Sequence, residues 1–346
     1  MKIFYGVQGT GNGHITRARE MAKAFADAGV DVTYLFSGRD AAKYFDMDIF
    51  NGYQVMKGLT FHAQNGDVSY LKTAFDARPI DFIRDVKALD LSNYDLVISD
   101  YEPITAWAAK LRKKKVLGIG HQYAFNHHIP REGGDFIAER VMKYFAPTPR
   151  SIGLHWHHFG QPILPPIIAA HEPPQQCVAN KIVVYLPFEN HEDVIRRLKP
   201  FKSFDFLVYS PAVVASPSEH IRVKPLSRDG FQNDLHDCAG IISNAGFELV
   251  SEALQLGKKI LIKPLHSQLE QISNAAALKQ LGYGRIMNDL EPKAIAQWLE
   301  NPHRVRVTYP NVANFVVHWM LDGMPPIDDD FIEACWSHVN VLQLNN

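Results

Sequence analysis

Residues 240–254 read Gly240-Ile241-Ile242-Ser243-Asn244-Ala245-Gly246-Phe247-Glu248-Leu249-Val250-Ser251-Glu252-Ala253-Leu254. A short apolar run, Gly240 to Ser243, meets a turn of small residues and then a segment of helical spacing, so a buried strand hands over to a helix. Amides at that helix N-terminus suit a diphosphate, and Glu252, about two turns in, can accept hydrogen bonds from ribose hydroxyls. The next strand, Lys259 to Lys263, ends in a dense polar stretch carrying His266, Gln268, Glu270, Gln271 and Asn274. Such density after a buried strand suits sugar hydroxyls, and the plainer alternative is a solvated helix start.

The same alternation extends outward. Ile182 to Leu186 and Asp205 to Tyr209 read as further strands, and Phe247 to Gln255 and Leu269 to Leu281 as helices. Upstream, Ile3 to Val7, Asp31 to Phe36, Asp95 to Ser99 and Val116 to Gly120 are buried-strand runs, with helices from Ile15 to Ala28, stopped by Gly29, and from Pro103 to Leu111. Short strands alternating with longer amphipathic segments predict α/β domains with doubly wound, Rossmann-like parallel sheets. A chain of 346 residues accommodates two of them. The expected division is 1–160, a proline-rich linker over 161–181, and a second α/β domain over 182–326, with a ligand cleft between the domains.

Formal net charge is -1, from 36 basic and 37 acidic residues, so no overall field draws the chain to nucleic acid. The basic run Arg112 to Lys115 reads as a solvated helix end, with an anionic-lipid patch as the sharper alternative. Three cysteines, Cys177, Cys238 and Cys335, are widely spaced and fit a reducing compartment. The first residues read as a strand running into a glycine-rich turn rather than as a signal peptide, and no apolar stretch approaches the roughly 20 residues that span a bilayer. These features predict a cytoplasmic protein.

After the first strand comes Gly9-Thr10-Gly11-Asn12-Gly13-His14. The glycines permit a tight turn and close backbone approach to a ligand. A dinucleotide fingerprint is disfavoured, because His14 replaces the third glycine and the second strand ends without an acidic residue for a ribose, although Arg39 there would suit a phosphorylated one. At the cleft mouth an imidazole, which titrates near neutrality, can take a proton from a bound hydroxyl; helix capping or packing is the plainer role for His14. Asp100 or Glu102, after the strand Asp95 to Ser99, would orient that imidazole, while Asp100 is equally suited to cap the helix starting at Pro103. Gly120-His121-Gln122 ends a strand at the same sheet edge.

The pattern of small-residue turn, Glu252-Ala253-Leu254, second strand ending at Pro264, Glu270-Gln271 and Asn274-Ala275 resembles the donor-binding region of GT-B glycosyltransferases, including the UDP-glycosyltransferases and the lipid-linked N-acetylglucosaminyltransferase of peptidoglycan synthesis. By that resemblance Glu252 is the ribose-binding glutamate, Asn244-Ala245-Gly246, with Phe247, forms the diphosphate turn, and Glu270-Gln271 contacts the donor sugar. The turn Gly9 to His14 is similar to the acceptor-side loop of the peptidoglycan enzyme, and Gly120-His121-Gln122 to a short histidine motif there. The departures are Asn244-Ala245-Gly246 in place of His-Gly-Gly, Glu270 in place of aspartate, and Pro187-Phe188-Glu189-Asn190 in place of a glycine-rich loop. The resemblance implies a GT-B fold, with the segment 327–346, chiefly Phe331 to Leu342, crossing back as a helix onto the first domain.

It further implies transfer of a hexose from a nucleoside-diphosphate sugar, a UDP-sugar first, as cosubstrate, with no tightly bound cofactor and no metal. The acceptor is an unidentified small-molecule, glycan or lipid-linked hydroxyl, the last adding peripheral contact with the inner membrane face. His155-Trp156-His157-His158 and His127-His128 invite a metal, yet no cysteine sits at ligand spacing and neighbouring strand residues point opposite ways. Phe315 to Leu321 reads as a core helix more readily than as a membrane-facing surface. A nucleotide-sugar epimerase of the same fold and a noncatalytic nucleotide-sugar-binding protein stay open as alternatives, with an oxidoreductase last.

Overall fold

The computed structural model describes residues 1–59, 63–64, 67–68, 79–133, 136–170, 177–211, 216 and 218–344. Its first sheet contains β1 (Lys2–Gln8), β2 (Asp31–Ser37), β3 (Gln54–Met56), β6 (Leu96–Asp100), β7 (Val116–Gly120), β8 (Ser151–Leu154) and β9 (Ile163–Leu164), while β4 (Ala63–Gln64) and β5 (Asp67–Val68) form a separate antiparallel pair. The strands of the first sheet pair in parallel in the order β3-β2-β1-β6-β7-β8-β9. A second parallel sheet has the order β12-β11-β10-β13-β14-β15, from β10 (Val178–Tyr185), β11 (Asp205–Ser210), β12 (Ile221–Pro225), β13 (Cys238–Asn244), β14 (Lys259–Lys263) and β15 (Arg285–Ile286). The molecule is a two-domain Rossmann-like α/β protein. In each sheet the strand order reverses beside the first strand, and ligands of such sheets bind at that switch point, outside the carboxyl ends.

The switch point of the first sheet lies between β1 and β6. From β1 the chain turns through Gly9 to Gly13 into α1 (Asn12–Asp27). A Cβ on Gly9 would lie 2.1 Å from the Tyr44 hydroxyl, so only glycine fits there. From β6 the chain passes through Tyr101, in the left-handed region with φ of 52°. That conformation costs about 1–2 kcal/mol, and the surroundings hold it: the Tyr101 ring stacks on Phe145 at 5.1 Å and its hydroxyl donates to the Met142 carbonyl at 2.8 Å. The resulting kink sends Asp100 and Glu102 to different partners.

The sequence expectation of strands near Ile3, Asp31, Asp95, Val116, Ile182, Asp205, Gly240 and Lys259 agrees with β1, β2, β6, β7, β10, β11, β13 and β14. Two expectations need correction. The segment read as a linker over 161–181 contains β9 and the start of β10; Pro162 and Pro165 flank β9 at the sheet edge, where a missing N–H does no harm. Residues 171–176 of that segment lie outside the described residues. Phe331 to Leu342 is not one helix either. A helix over Asp329–Trp336 gives way to β17 (Asn340–Leu344), antiparallel to β16 (Arg304–Thr308).

The Trp336 indole donates to the Ile163 carbonyl at 2.6 Å, fixing the last helix to the first sheet. The helix Val312–Leu321 buries Val316, Val317, Trp319 and Met320 and packs on α1. The basic run is partly consumed in holding the fold: Arg112 donates to the carbonyls of Val86 and Lys87, and Lys114 to that of Ser92.

Candidate active site

A cavity of about 390 Å³ lies between the two halves, with walls from both sheet edges. His14 enters it from the first turn of α1. Its Nδ1 lies 2.7 Å from Asp100 Oδ1. Asp100 is 0 % exposed, and Arg17, 1 % exposed and one turn beyond His14 on α1, clamps it with Nε on Oδ2 at 2.8 Å and Nη2 on Oδ1 at 2.5 Å. Tyr5 adds its hydroxyl to Oδ2 at 3.3 Å. Burial pushes the Asp100 carboxyl up, but Arg17 and His14 pull it back below its ordinary range, so it is a carboxylate. A carboxylate accepts, so His14 donates through Nδ1 and carries its lone pair on Nε2. That nitrogen lies 3.5 Å from Gln122 Nε2.

Glu102 takes no part in this pairing. Its Oε1 accepts from the Ile104 amide and the Ser37 hydroxyl, and its Oε2 from the Thr105 amide, capping the helix Pro103–Leu111. The kink at Tyr101 thus gives the cap to Glu102 and the histidine to Asp100. Among the residues expected on the acceptor side, Gln122 reaches across to Glu270 Oε2 at 3.1 Å, Thr10 accepts from Gln8, and Asn12 accepts from both terminal nitrogens of Arg39 at 3.1 Å. Gly11 and Gly13 line the cavity beside them.

His121 is placed differently. Its Nδ1 lies 2.8 Å from the Leu154 carbonyl and its Nε2 2.7 Å from Asn274 Oδ1, and its ring stacks on Phe247. Burial pulls its pKa down. It joins the domains and has no free nitrogen for a ligand.

On the second domain the helix Phe247–Gln255 opens toward the cavity at Gly246, where a Cβ would meet nothing within 4 Å. Asn244 lines the cavity, its Nδ2 held by the Lys263 carbonyl and Glu189. Glu252 is buried against Gln232 at 3.0 Å, and burial pushes its carboxyl up to about 7. Gln268 and Glu270 also line the cavity.

Two expected donor residues, Asn274 and His266, do not line the cavity. Gln271 does line it, with Oε1 accepting from the amides of Ala245 and Leu265. Asn274 is wholly buried between His121 and the Ala245 carbonyl. His266 lies on the surface, 3.5 Å from Asp289. Phe247 reaches the cavity wall, but its ring is mainly engaged by His121 and Trp156.

Sequence reasoning passed over Arg17 and Glu248, which join across the domain interface in a buried ion pair. The available signal was the spacing of His14 and Arg17, which places both on one helix face. The histidine clusters serve turns: Nδ1 of His155, His157 and His158 accepts from the amides of Trp156, Phe159 and Gly160. Among the described residues no group of three or more His, Cys, Asp and Glu side chains is disposed to hold a metal, and no helix is long and apolar enough to cross a membrane.

The model of the family described as glycosyl transferase family 1 matches residues 1–302. An uncharacterized glycosyltransferase of Methanosarcina acetivorans is 22% identical over 334 residues, with 84% of each chain covered. Among solved structures, the kitacinnamycin glycosyltransferase superposes with a TM-score of 0.57 at 14% identity, covering 87% of this chain and 91% of its own. The spinosyn rhamnosyltransferase complexed with thymidine diphosphate gives 0.53 at 13% identity, covering 94% of this chain and 98% of its own.

Proposed function

Because the chain belongs to glycosyl transferase family 1 and is a glycosyltransferase of the GT-B fold, we propose that it moves a hexose from a nucleoside-diphosphate sugar to an acceptor hydroxyl in the interdomain cavity, without a metal ion. One observation carries the mechanism: His14, held by Asp100 at 2.7 Å, stands at the wall of a cavity that both domains line. His14 Nε2 takes the hydroxyl proton as the acceptor oxygen bonds to the anomeric carbon, and the bond from that carbon to the diphosphate breaks. Asp100 orients the imidazole and steadies its charge.

The departing diphosphate gains charge, which the helix N-terminus at Gly246 and the guanidinium groups of Arg39 and Arg228 at the cavity support. Glu252 faces the ribose, and Gln268 with Glu270 the sugar hydroxyls. Uridine diphosphate is the first base to test, with thymidine diphosphate beside it, the ligand of the spinosyn enzyme. Phe45, Met142 and Phe145 line the first-domain side of the cavity and favour an acceptor with an apolar body beside its hydroxyl.

The test is thermal unfolding against nucleoside diphosphates and their sugar conjugates, followed by mass spectrometry of donor with a panel of aromatic, glycan and lipid alcohols. A diphosphate bound at 100 times its dissociation constant adds about 2.7 kcal/mol of stability. Stabilisation by one nucleoside diphosphate series and a mass gain of one hexose on an acceptor are expected; no stabilisation by any of them at millimolar concentration would sink the reading.

A further inference from the structure

The basic run Arg112 to Lys115 is only partly absorbed by the fold, and the lysines left over stand beside an apolar stripe that the reaction does not use. The helix Pro79–Ala88 buries Val86 and presents Ile80, Ile83, Arg84 and Lys87 to the outside, the spacing of one helix face. Ile80 is 81 % exposed and Ile83 51 %. The helix Pro103–Leu111 lies alongside it, tied by Arg112 to the carbonyls of Val86 and Lys87, and ends on Leu111, 58 % exposed. Single exposed apolar side chains are ordinary on a protein surface, whereas three on adjoining helices, flanked by lysines, mark a contact face.

We propose that this two-helix face of the first domain docks on an anionic bilayer surface, with Ile80, Ile83 and Leu111 entering the headgroup boundary and the lysines meeting lipid phosphates. The inference is independent of the reaction proposed above. Charge selects the partner. Over residues 79–115 seven cations stand against four surface carboxylates, Asp100 and Glu102 being buried, a balance of +3 in a chain of net -1. The four carboxylates are engaged: Asp81 and Asp85 lie 3.0 and 3.8 Å from Arg84, Asp90 accepts from the Ser92 amide and Asp95 from the Lys2 amide. Among the described residues no carboxylate lies within ion-pair distance of Lys87, Lys110, Lys113 or Lys115.

Lys110 lies over the half-buried Trp107 ring at 4.7 Å, which pairs an apolar body with a charged tip, as the headgroup level of a bilayer requires. A fluid lipid surface needs apolar depth and diffuse positive charge, and it needs no groove. None of these side chains lines the cavity.

The experiment is co-sedimentation of the full chain with vesicles of phosphatidylcholine alone and of phosphatidylcholine mixed in equal parts with phosphatidylglycerol. The variants are Ile80→Ser/Ile83→Ser, Lys110→Gln/Lys115→Gln and, on the second domain, Lys199→Gln/Lys293→Gln as a charge-matched control. All the substituted side chains are exposed, so the fold is kept, and thermal melts check it. Wild type is expected to bind the mixed vesicles and not phosphatidylcholine alone. The isoleucine pair is expected to weaken that binding about tenfold or more, the first lysine pair by about as much, and the control not at all. No binding to the mixed vesicles, an isoleucine variant that binds like wild type, or a control that loses as much as Lys110→Gln/Lys115→Gln would each overturn the docking. So would gel filtration of wild type as a dimer that Ile80→Ser/Ile83→Ser splits, which assigns the face to a second copy. Docking and reaction fail separately, because vesicle binding is read without any donor sugar.

Discussion

The imidazole of His121 and the ring of Phe247 lie 3° from parallel with centroids 4.0 Å apart, and the two residues come from opposite domains. Trp156 stacks on the same phenylalanine at 5.4 Å and donates its indole N–H to Ser251 at 2.8 Å. An aromatic block of this kind makes the floor of the cleft part of the core. Phe247→Ala is expected to cost about 3–5 kcal/mol, read as a lower urea midpoint. A loss under 1 kcal/mol would mean the ring contributes little to holding the domains together.

His14→Ala is expected to slow sugar transfer by about 10²- to 10⁴-fold with donor affinity unchanged, measured by single-turnover rates beside a nucleotide titration. Full activity in the alanine variant would assign the base elsewhere.

Asp100→Asn removes the charge that orients His14 and takes from Arg17 its bidentate partner. Slower transfer and a stability loss of about 3–5 kcal/mol are expected together. A variant as stable as wild type would show that Glu248 alone suffices to hold the buried guanidinium.

Glu252 gives the fold a pH dependence. Its carboxyl, ordinarily near 4.5, is pushed up to about 7 by burial, with partial relief from Gln232. A carboxyl raised in the folded state gives stability that is complete below the unfolded pKa and is lost as pH rises through about 7. The loss is at most about 3 kcal/mol. Glu252→Gln is therefore expected to melt higher than wild type at pH 8 and to bind nucleoside diphosphates less tightly. Parallel melting curves of the two proteins from pH 5 to 8 would contradict this.

Asn274 and Glu270 are close in sequence and separate in role. Asn274→Ala is expected to lose about 1–3 kcal/mol of stability and to keep its donor preference, whereas Glu270→Ala keeps its stability and loses transfer. Comparing melts with donor kinetics for the two variants reads this directly.

The fold was legible because a parallel sheet covered on both faces demands apolar runs bounded by turns, and β1, β6, β13 and β14 carry them openly. The tail was less legible. In β17, Asn340 to Gln343 are all exposed, so its pairing with β16 is written in backbone hydrogen bonds and leaves no burial pattern to read. At the site, small-residue turns after strands marked both walls of the cavity. What local reading missed was how neighbouring polar groups divide their work. Asp100 and Glu102 differ only through the backbone of Tyr101, and Gln271, next to Glu270, and Asn274, one turn on, both bond inward. Arg17 looked like an ordinary helix cation because its partners lie 83 and 231 residues away.

Among the described residues the chain passes between its halves three times: from β9 to β10, from β16 to the helix on α1, and from Trp336 to β17. Such lacing means that the two bodies separate only by peeling a helix from the first body or a strand from the second. A protease that nicks the first passage therefore leaves a fragment whose terminal helices still grip its mate. The nicked molecule is expected to run as one species in gel filtration and to come apart only in denaturant.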